Sequence, residues 1–141
     1  MDFTYISGFF DADGSISLLN IHNNEHKAVQ VSFCNNELSI LESIRDFLYR
    51  EINIKGWISR KKAREAYHSD NYELKYTRHS ALNLIKRLES HHPKKRHRIA
   101  VALEYYNKVT NRNGKYDERG LSRKKAFNRL FYWNGKKVAL R

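Results

Sequence analysis

The feature that most constrains this chain is its hydrophobic period, which switches from helical to alternating and back twice before Ser80. Thr4 to Ala12 is a short apolar stretch that Asp2 can N-cap and that stops at Asp13-Gly14, where a glycine suits a helix end. From Ser15 to Ile21 the residues favour a strand, and Asn23-Asn24 marks a turn. Lys27 to Cys34 then sets Val29, Val31 and Phe33 in alternation with Ala28, Gln30 and Ser32. Helical spacing returns with Leu41, Ile44, Phe47 and Leu48, behind a cap supplied by Asn35 or Asn36. After Gly56 the period is two again: Trp57 to Lys61, a charged turn, then Tyr72, Leu74 and Tyr76 against Glu73, Lys75 and Thr77. Ser80 caps a helix built on Leu82, Ile85 and Leu88. Beyond Pro93 another helix places Ile99, Ala102, Leu103 and Tyr106 on one face. A polar loop from Asn111 to Gly120 leads to a last basic helix near Ser122 to Tyr132. The order α-ββ-α-ββ-α-α, with both strand pairs joined as hairpins, predicts an α+β fold. The expectation is a single domain over residues 1–141, with a core over about 1–110 and a C-terminal helical extension over 111–141.

Charge narrows the partner. There are 27 Lys and Arg against 15 Asp and Glu, a formal net charge of +12, which points to a polyanion. Charge alone leaves DNA, RNA and an anionic membrane open. With 40% hydrophobic and 13% aromatic residues the chain can offset its ordering entropy, so it is a folded basic domain rather than a basic tail. No segment approaches the roughly 18 consecutive apolar residues of a membrane span, and MDFTYISGFF lacks the basic start of a signal peptide. The expectation is an intracellular protein of a cell, an organelle (mitochondrion or chloroplast) or a phage-infected host, neither secreted nor in a membrane. Cys34 is the only cysteine, which excludes an intrachain disulfide and a thiolate metal site.

The first helix carries a second constraint. Thr4, Gly8 and Ala12 lie at i, i+4 and i+8, a small-residue stripe that lets two helices approach backbone to backbone. Ile6, Phe9 and Phe10 can then enter the subunit's own core. A nine-residue helix spans about 13.5 Å, so Asp13 projects past the end of such a seam, and pairing two helices brings two Asp13 carboxylates together. An isolated D-x-D-G also occurs in calcium loops. Counting from Asp11, however, neither the glycine at position six nor the glutamate at position twelve of an EF-hand falls in place.

Ile6-Ser7-Gly8-Phe9-Phe10-Asp11-Ala12-Asp13-Gly14, followed by Ser15-Ile16, closely resembles the signature that names the LAGLIDADG homing endonucleases. The element order is similar to that family's αββαββα core, whose saddle-shaped antiparallel sheet lies on DNA. The resemblance implies a site-specific double-strand DNA endonuclease that uses Mg²⁺, with Mn²⁺ able to substitute, and acts in intron homing. A single motif implies a homodimer joined through Thr4, Gly8 and Ala12, and a nearly palindromic target. It further implies that Asp13 and the carbonyl of Ala12 ligate metal, that Asn35 orients water, and that Lys95, or else Lys94, is the basic residue near the metals. Asp11 is read as structural. Ser39 stands where some relatives carry another basic residue. The alternative is a non-cleaving protein of the same fold, either a DNA-binding regulator or a maturase acting on intron RNA.

Base reading would fall on the polar faces of the hairpins, since an antiparallel sheet can lie in the major groove, where base edges are distinguishable. Alternation puts His26, Gln30 and Ser32 there together with Ala28. Trp57, Ser59 and Lys61 form another row beside Asn71, Glu73, Lys75 and Thr77. Gln30 is the candidate for adenine. Leu18-Leu19 breaks the period of the first strand, so either Ser15 and Ser17 or Asn20 and His22 face the duplex. Arg60, Lys62, Arg64 and Arg78 are candidate phosphate contacts. His22-Asn23-Asn24-Glu25-His26 matches a zinc-protease pattern, but that chemistry needs a helix and Asn-Asn here reads as a turn. His91, His92 and His97 read as part of a basic loop.

Overall fold

A computed structural model describes residues 1–20, 27–62, 65, 70–111 and 115–133. Within them the chain runs α1 (Phe3–Asp13), β1 (Gly14–Leu19), β2 (Ala28–Asn35), α2 (Leu38–Ile52) and β3 (Trp57–Lys61). It continues through β4 (Asn71–Thr77), α3 (Arg78–Ile85), α4 (Pro93–Val109) and α5 (Glu118–Phe131). The described strands form one antiparallel sheet in the order β1-β2-β4-β3. The second strand of each hairpin is therefore central and the first is an edge, so two αββ units meet along β2 and β4. The fold is α+β, as the alternating periods predict.

One face of the sheet is the core. Ile16, Val29, Val31, Phe33, Leu74 and Tyr76 are fully buried there under residues of the helices, among them Ile6 and Phe10 of α1 and Leu41, Ile44 and Leu48 of α2. The opposite face is polar. The register sets Ser17, Gln30 and Thr77 in one row, Ser15, Ser32, Lys75 and Trp57 in the next, and Cys34, Glu73 and Ser59 in a third.

Several boundaries differ from expectation. Asp2 caps α1 by accepting from the N–H of Tyr5 at 2.8 Å. Gly14, however, ends that helix in an extended conformation, with φ −100°, so left-handed freedom is not its role. A Cβ at Gly14 would lie 2.6 Å from the Phe10 ring and 2.8 Å from the Phe10 backbone. The glycine is there because β1 turns tightly under the helix. The cap position of α2 is Glu37, with neither Asn35 nor Asn36 in it. Arg78 opens α3 at φ 55° with Thr77 before it, and Ser80 lies inside the helix. Leu103 faces solvent, and Val101 joins Ile99, Ala102 and Tyr106 in the core. The last helix begins at Glu118, because Asp117 accepts from the N–H of Gly120 at 2.6 Å and caps it within the expected loop.

The C-terminal part of the fold closes the edge of β1. The Arg98 guanidinium on α4 donates to the carbonyl of Ile16 at 3.0 Å, and the N–H of Leu18 donates to the hydroxyl of Tyr132 at 2.9 Å. The Arg98 guanidinium also lies 4.8 Å from the centre of the Tyr132 ring. His97 is in α4, not in a loop, and bonds to the carbonyl of Leu130 at 2.8 Å.

Candidate functional site

Asp13 is the last residue of α1 and is exposed. Asn35, the last residue of β2, donates from Nδ2 to Asp13 Oδ2 at 3.2 Å while its Oδ1 accepts from the N–H of Glu37 at 2.8 Å. One side chain thus shapes the turn into α2 and holds the carboxylate. Asn35 is not the helix cap it was expected to be, but its two amide atoms bond to Asp13 and to the turn into α2.

Lys95 reaches the same helix end from the first turn of α4. Its Nζ donates to the carbonyls of Phe10 at 2.8 Å and Asp11 at 2.9 Å, and sits 5.2 Å from the centre of the Phe10 ring. A cation at the carbonyl end of a helix is favourable to its dipole. Burial lowers the pKa of this ammonium, opposed by the charges of Asp11 and Asp13. Lys94 is exposed on the same turn, and exposed Ser39 has its carbonyl bonded to Ser43 at 2.9 Å.

Asp11 holds the entry to α4. Its carboxylate accepts from the Ser90 hydroxyl at 2.5 Å and the His91 N–H at 2.7 Å. Burial alone would raise its pKa; the bonds from Ser90 and His91, together with Lys95, hold it below the ordinary carboxylate value. One turn earlier, Ser7 accepts from the N–H of Glu89 at 3.0 Å. These three bonds fix where α4 begins, and hence where Lys95 points. Ser7 and Ser90 shape this end of the site without any trace in the sequence pattern, since a buried serine has no periodic signature. His92 accepts from the Lys95 N–H and so caps α4.

The small-residue stripe is open. Thr4, Gly8 and Ala12 are exposed, and a Cβ at Gly8 would meet nothing within 4 Å. A groove of about 360 Å³ runs beside the stripe between Thr4, Gly8 and Asp11 on one side and Arg87, Glu89 and His91 on the other.

On the polar face of the sheet, Ser15 and Ser17 share a side with Gln30 and Ser32; Asn20 lies past the end of β1. Ser32 and Ala28 are buried there despite their polar-side register, and the Ser32 hydroxyl is bonded to that of Ser15 at 2.7 Å. Trp57, Lys61 and Asn71 are exposed, and Ser59, Lys75 and Thr77 are half-buried. Glu73 accepts from Cys34 Sγ at 3.3 Å and pairs with Lys75 at 2.9 Å and Lys61 at 3.5 Å. Burial, followed by the neighbouring Glu73, pushes the Cys34 thiol up to about 11, so it is not a reactive thiolate. Arg60 is ion-paired with Asp70, Lys62 is exposed, and Arg78 is exposed in its left-handed turn. His22, His26, Arg64 and the zinc-like pattern lie outside the described residues. Among the described residues no three His, Cys, Asp or Glu side chains converge.

An αββ-repeated sheet with one polar face, and an exposed Asp13 carboxylate at the end of a helix that carries a small-residue stripe, define an α+β domain of two αββ units. Residues 1–89 match the family model described as a LAGLIDADG-like domain, so the chain belongs to the LAGLIDADG family, one of DNA endonucleases and other nucleic-acid-binding proteins. Among solved structures, that of the archaeal intron-encoded homing endonuclease I-Vdi141I complexed with DNA aligns with 89% of this chain and 95% of that one, at 20% identity and a TM-score of 0.44. No curated protein sequence matches the chain.

Proposed function

We propose that this protein is a homodimeric, metal-dependent DNA endonuclease that cuts both strands of a long, nearly palindromic site. The observation that carries the reading is an exposed Asp13 at the end of an α1 whose Thr4, Gly8 and Ala12 face is exposed, with no occupant among the described residues. Packing two such faces together would bring the two Asp13 carboxylates to the centre of a continuous pair of sheets.

Carboxylate and carbonyl oxygens suit Mg²⁺ or Mn²⁺. Asp13 and the Ala12 carbonyl would hold such a cation. When bound, the cation supplies charge stabilisation for the attacking and leaving oxygens. The chain's own residues do the positioning. Asn35 fixes the Asp13 carboxylate. Lys95 anchors the helix end and brings positive charge beside the position of the scissile phosphate. The polar face of the sheet holds the duplex, and exposed Lys and Arg contact phosphates.

The test uses a plasmid carrying the gene's flanking DNA joined without the gene. Wild type should linearise it in Mg²⁺, and a folded, dimeric Asp13→Asn should bind it without cutting. Each ~1.4 kcal/mol of lost stabilisation is tenfold in rate, so the loss should be orders of magnitude. Cutting by Asp13→Asn at the wild-type rate removes the catalytic assignment. Wild type that binds but never cuts leaves a non-cleaving DNA-binding protein.

A further inference from the structure

The polar face of the sheet is not uniformly basic. Its third row holds a carboxylate, Glu73, on the central strand β4, opposite Cys34, the residue before the Asn35 that bonds to Asp13. Only 12% of the Glu73 side chain is exposed. One oxygen pairs with Lys75, two residues on along the same strand; the other pairs with Lys61, diagonal to it on β3, and accepts from Cys34 Sγ. A carboxylate in the path of a polyanion opposes binding, and a generic phosphate-binding face has no use for one. It also draws two ammonium groups away from phosphates. Lys75 is half-buried in consequence, whereas Lys61 remains largely exposed.

Resting on the DNA-binding reading above, we infer that Lys61, Glu73 and Lys75 form a preset reader of a G·C pair close to the cleavage position, with Glu73 as its specificity-determining acceptor. The major-groove edge of that pair sets the guanine acceptors N7 and O6 beside the cytosine N4 amine. The Lys75–Glu73 pair offers the complement, an ammonium about one hydrogen bond from a carboxylate. Glu73 accepts a hydrogen bond from the N4 amine, and Lys75 donates to O6 and N7. Lys61 holds the second carboxylate oxygen and keeps the side chain upright. The ion pairs are made before DNA arrives, so little side-chain entropy is lost on reading.

The experiment is selection from a random duplex library by wild type, Glu73→Gln and Lys75→Gln, each checked for a wild-type melting profile, followed by binding to a random-sequence duplex. Wild type should select a motif containing a fixed G·C pair that becomes degenerate in both variants, with discrimination at that position falling about 5- to 150-fold. The random duplex should separate the variants in opposite directions. Glu73→Gln removes a negative charge and should bind it more tightly; Lys75→Gln removes a positive charge and should bind it more weakly. A motif retained at full strength by Glu73→Gln overturns the reader while leaving the DNA-binding reading intact. A wild type that binds the random duplex but selects no motif overturns the reader alone, and one that binds no duplex overturns both.

Discussion

Lys124 should make this protein more stable when it is replaced by methionine. It lies fully buried between α4 and α5, donates to the Thr110 hydroxyl at 2.6 Å, and sits 4.5 Å from the centre of the Tyr106 ring and 5.4 Å from that of Phe127. No acidic side chain among the described residues pairs with it. Burial lowers its pKa from 10.5 to about 8. That difference corresponds to about 3 kcal/mol against the charged form in the folded state. Because the folded pKa lies below the unfolded one, the penalty is present in full below about pH 8 and is lifted as pH rises toward 10.5. Against it stand the hydrogen bond to Thr110, about 1 kcal/mol, and the ring contacts, about 1 kcal/mol. Lys124→Met keeps the length, and its sulfur packs well on aromatic rings. The net gain at neutral pH should therefore be about 1–2 kcal/mol. Urea unfolding of wild type and variant, followed by circular dichroism from neutral to alkaline pH, reads the difference directly. It should shrink as pH passes through 8. A variant less stable than wild type at neutral pH, by an amount that does not change with pH, would show that the ammonium is a net stabiliser and refute the reasoning.

Gly8→Leu places a bulky side chain in the open stripe of α1, so the subunit should fold normally yet sediment as a monomer and lose cleavage; a fully dimeric, active variant removes this seam. Asp11→Asn weakens two hydrogen bonds to a charged acceptor and should cost about 1–2 kcal/mol by thermal melt. Because the folded pKa of Asp11 lies below its ordinary 3.8, this contribution is present above that value and is lost as pH falls through the folded one; an equal wild-type margin over the variant at strongly acid pH would contradict it. Binding to a cognate duplex should weaken linearly in log–log terms between about 50 and 200 mM salt. A nearly flat line in a filter-binding series argues against an extended phosphate interface.

The hairpins and their inward residues were legible because alternation is a local property: Val29, Val31, Phe33, Leu74 and Tyr76 all face the core as the period requires. Asp13, Asn35 and Lys95 could be nominated from the motif. What joins them could not, since Lys95 bonds to carbonyls more than eighty residues away and Asp11 to Ser90 across a similar distance. The starts of α3 and α5 were misplaced where a weaker local signal competed, Ser80 against Thr77 and the glycine-containing loop against the Asp117 cap. Lys124 looks like one more solvated cation of a basic helix. Only the packing of Phe127 and Phe131 against α4 puts it inside. Gly14 was placed correctly at a helix end for the wrong reason, because steric crowding against Phe10 has no trace in the sequence.

The Arg98 and Tyr132 bonds to β1 bear on how such a protein survives in solution. A sheet that must keep one broad face bare cannot bury itself by stacking, and its outer strands carry unpaired N–H and C=O groups that can template the addition of another chain. Here the carbonyl of Ile16 and the N–H of Leu18 are already engaged by side chains from the C-terminal part of the fold. The other border strand is only five residues long and carries Arg60 and Lys61. The C-terminal helices thus serve as a selvage along one side of the sheet, protecting it from fraying into aggregates. Truncation after α4 would remove Tyr132 and should leave a subunit that still holds Asp13, Asn35 and Lys95 but polymerises along β1.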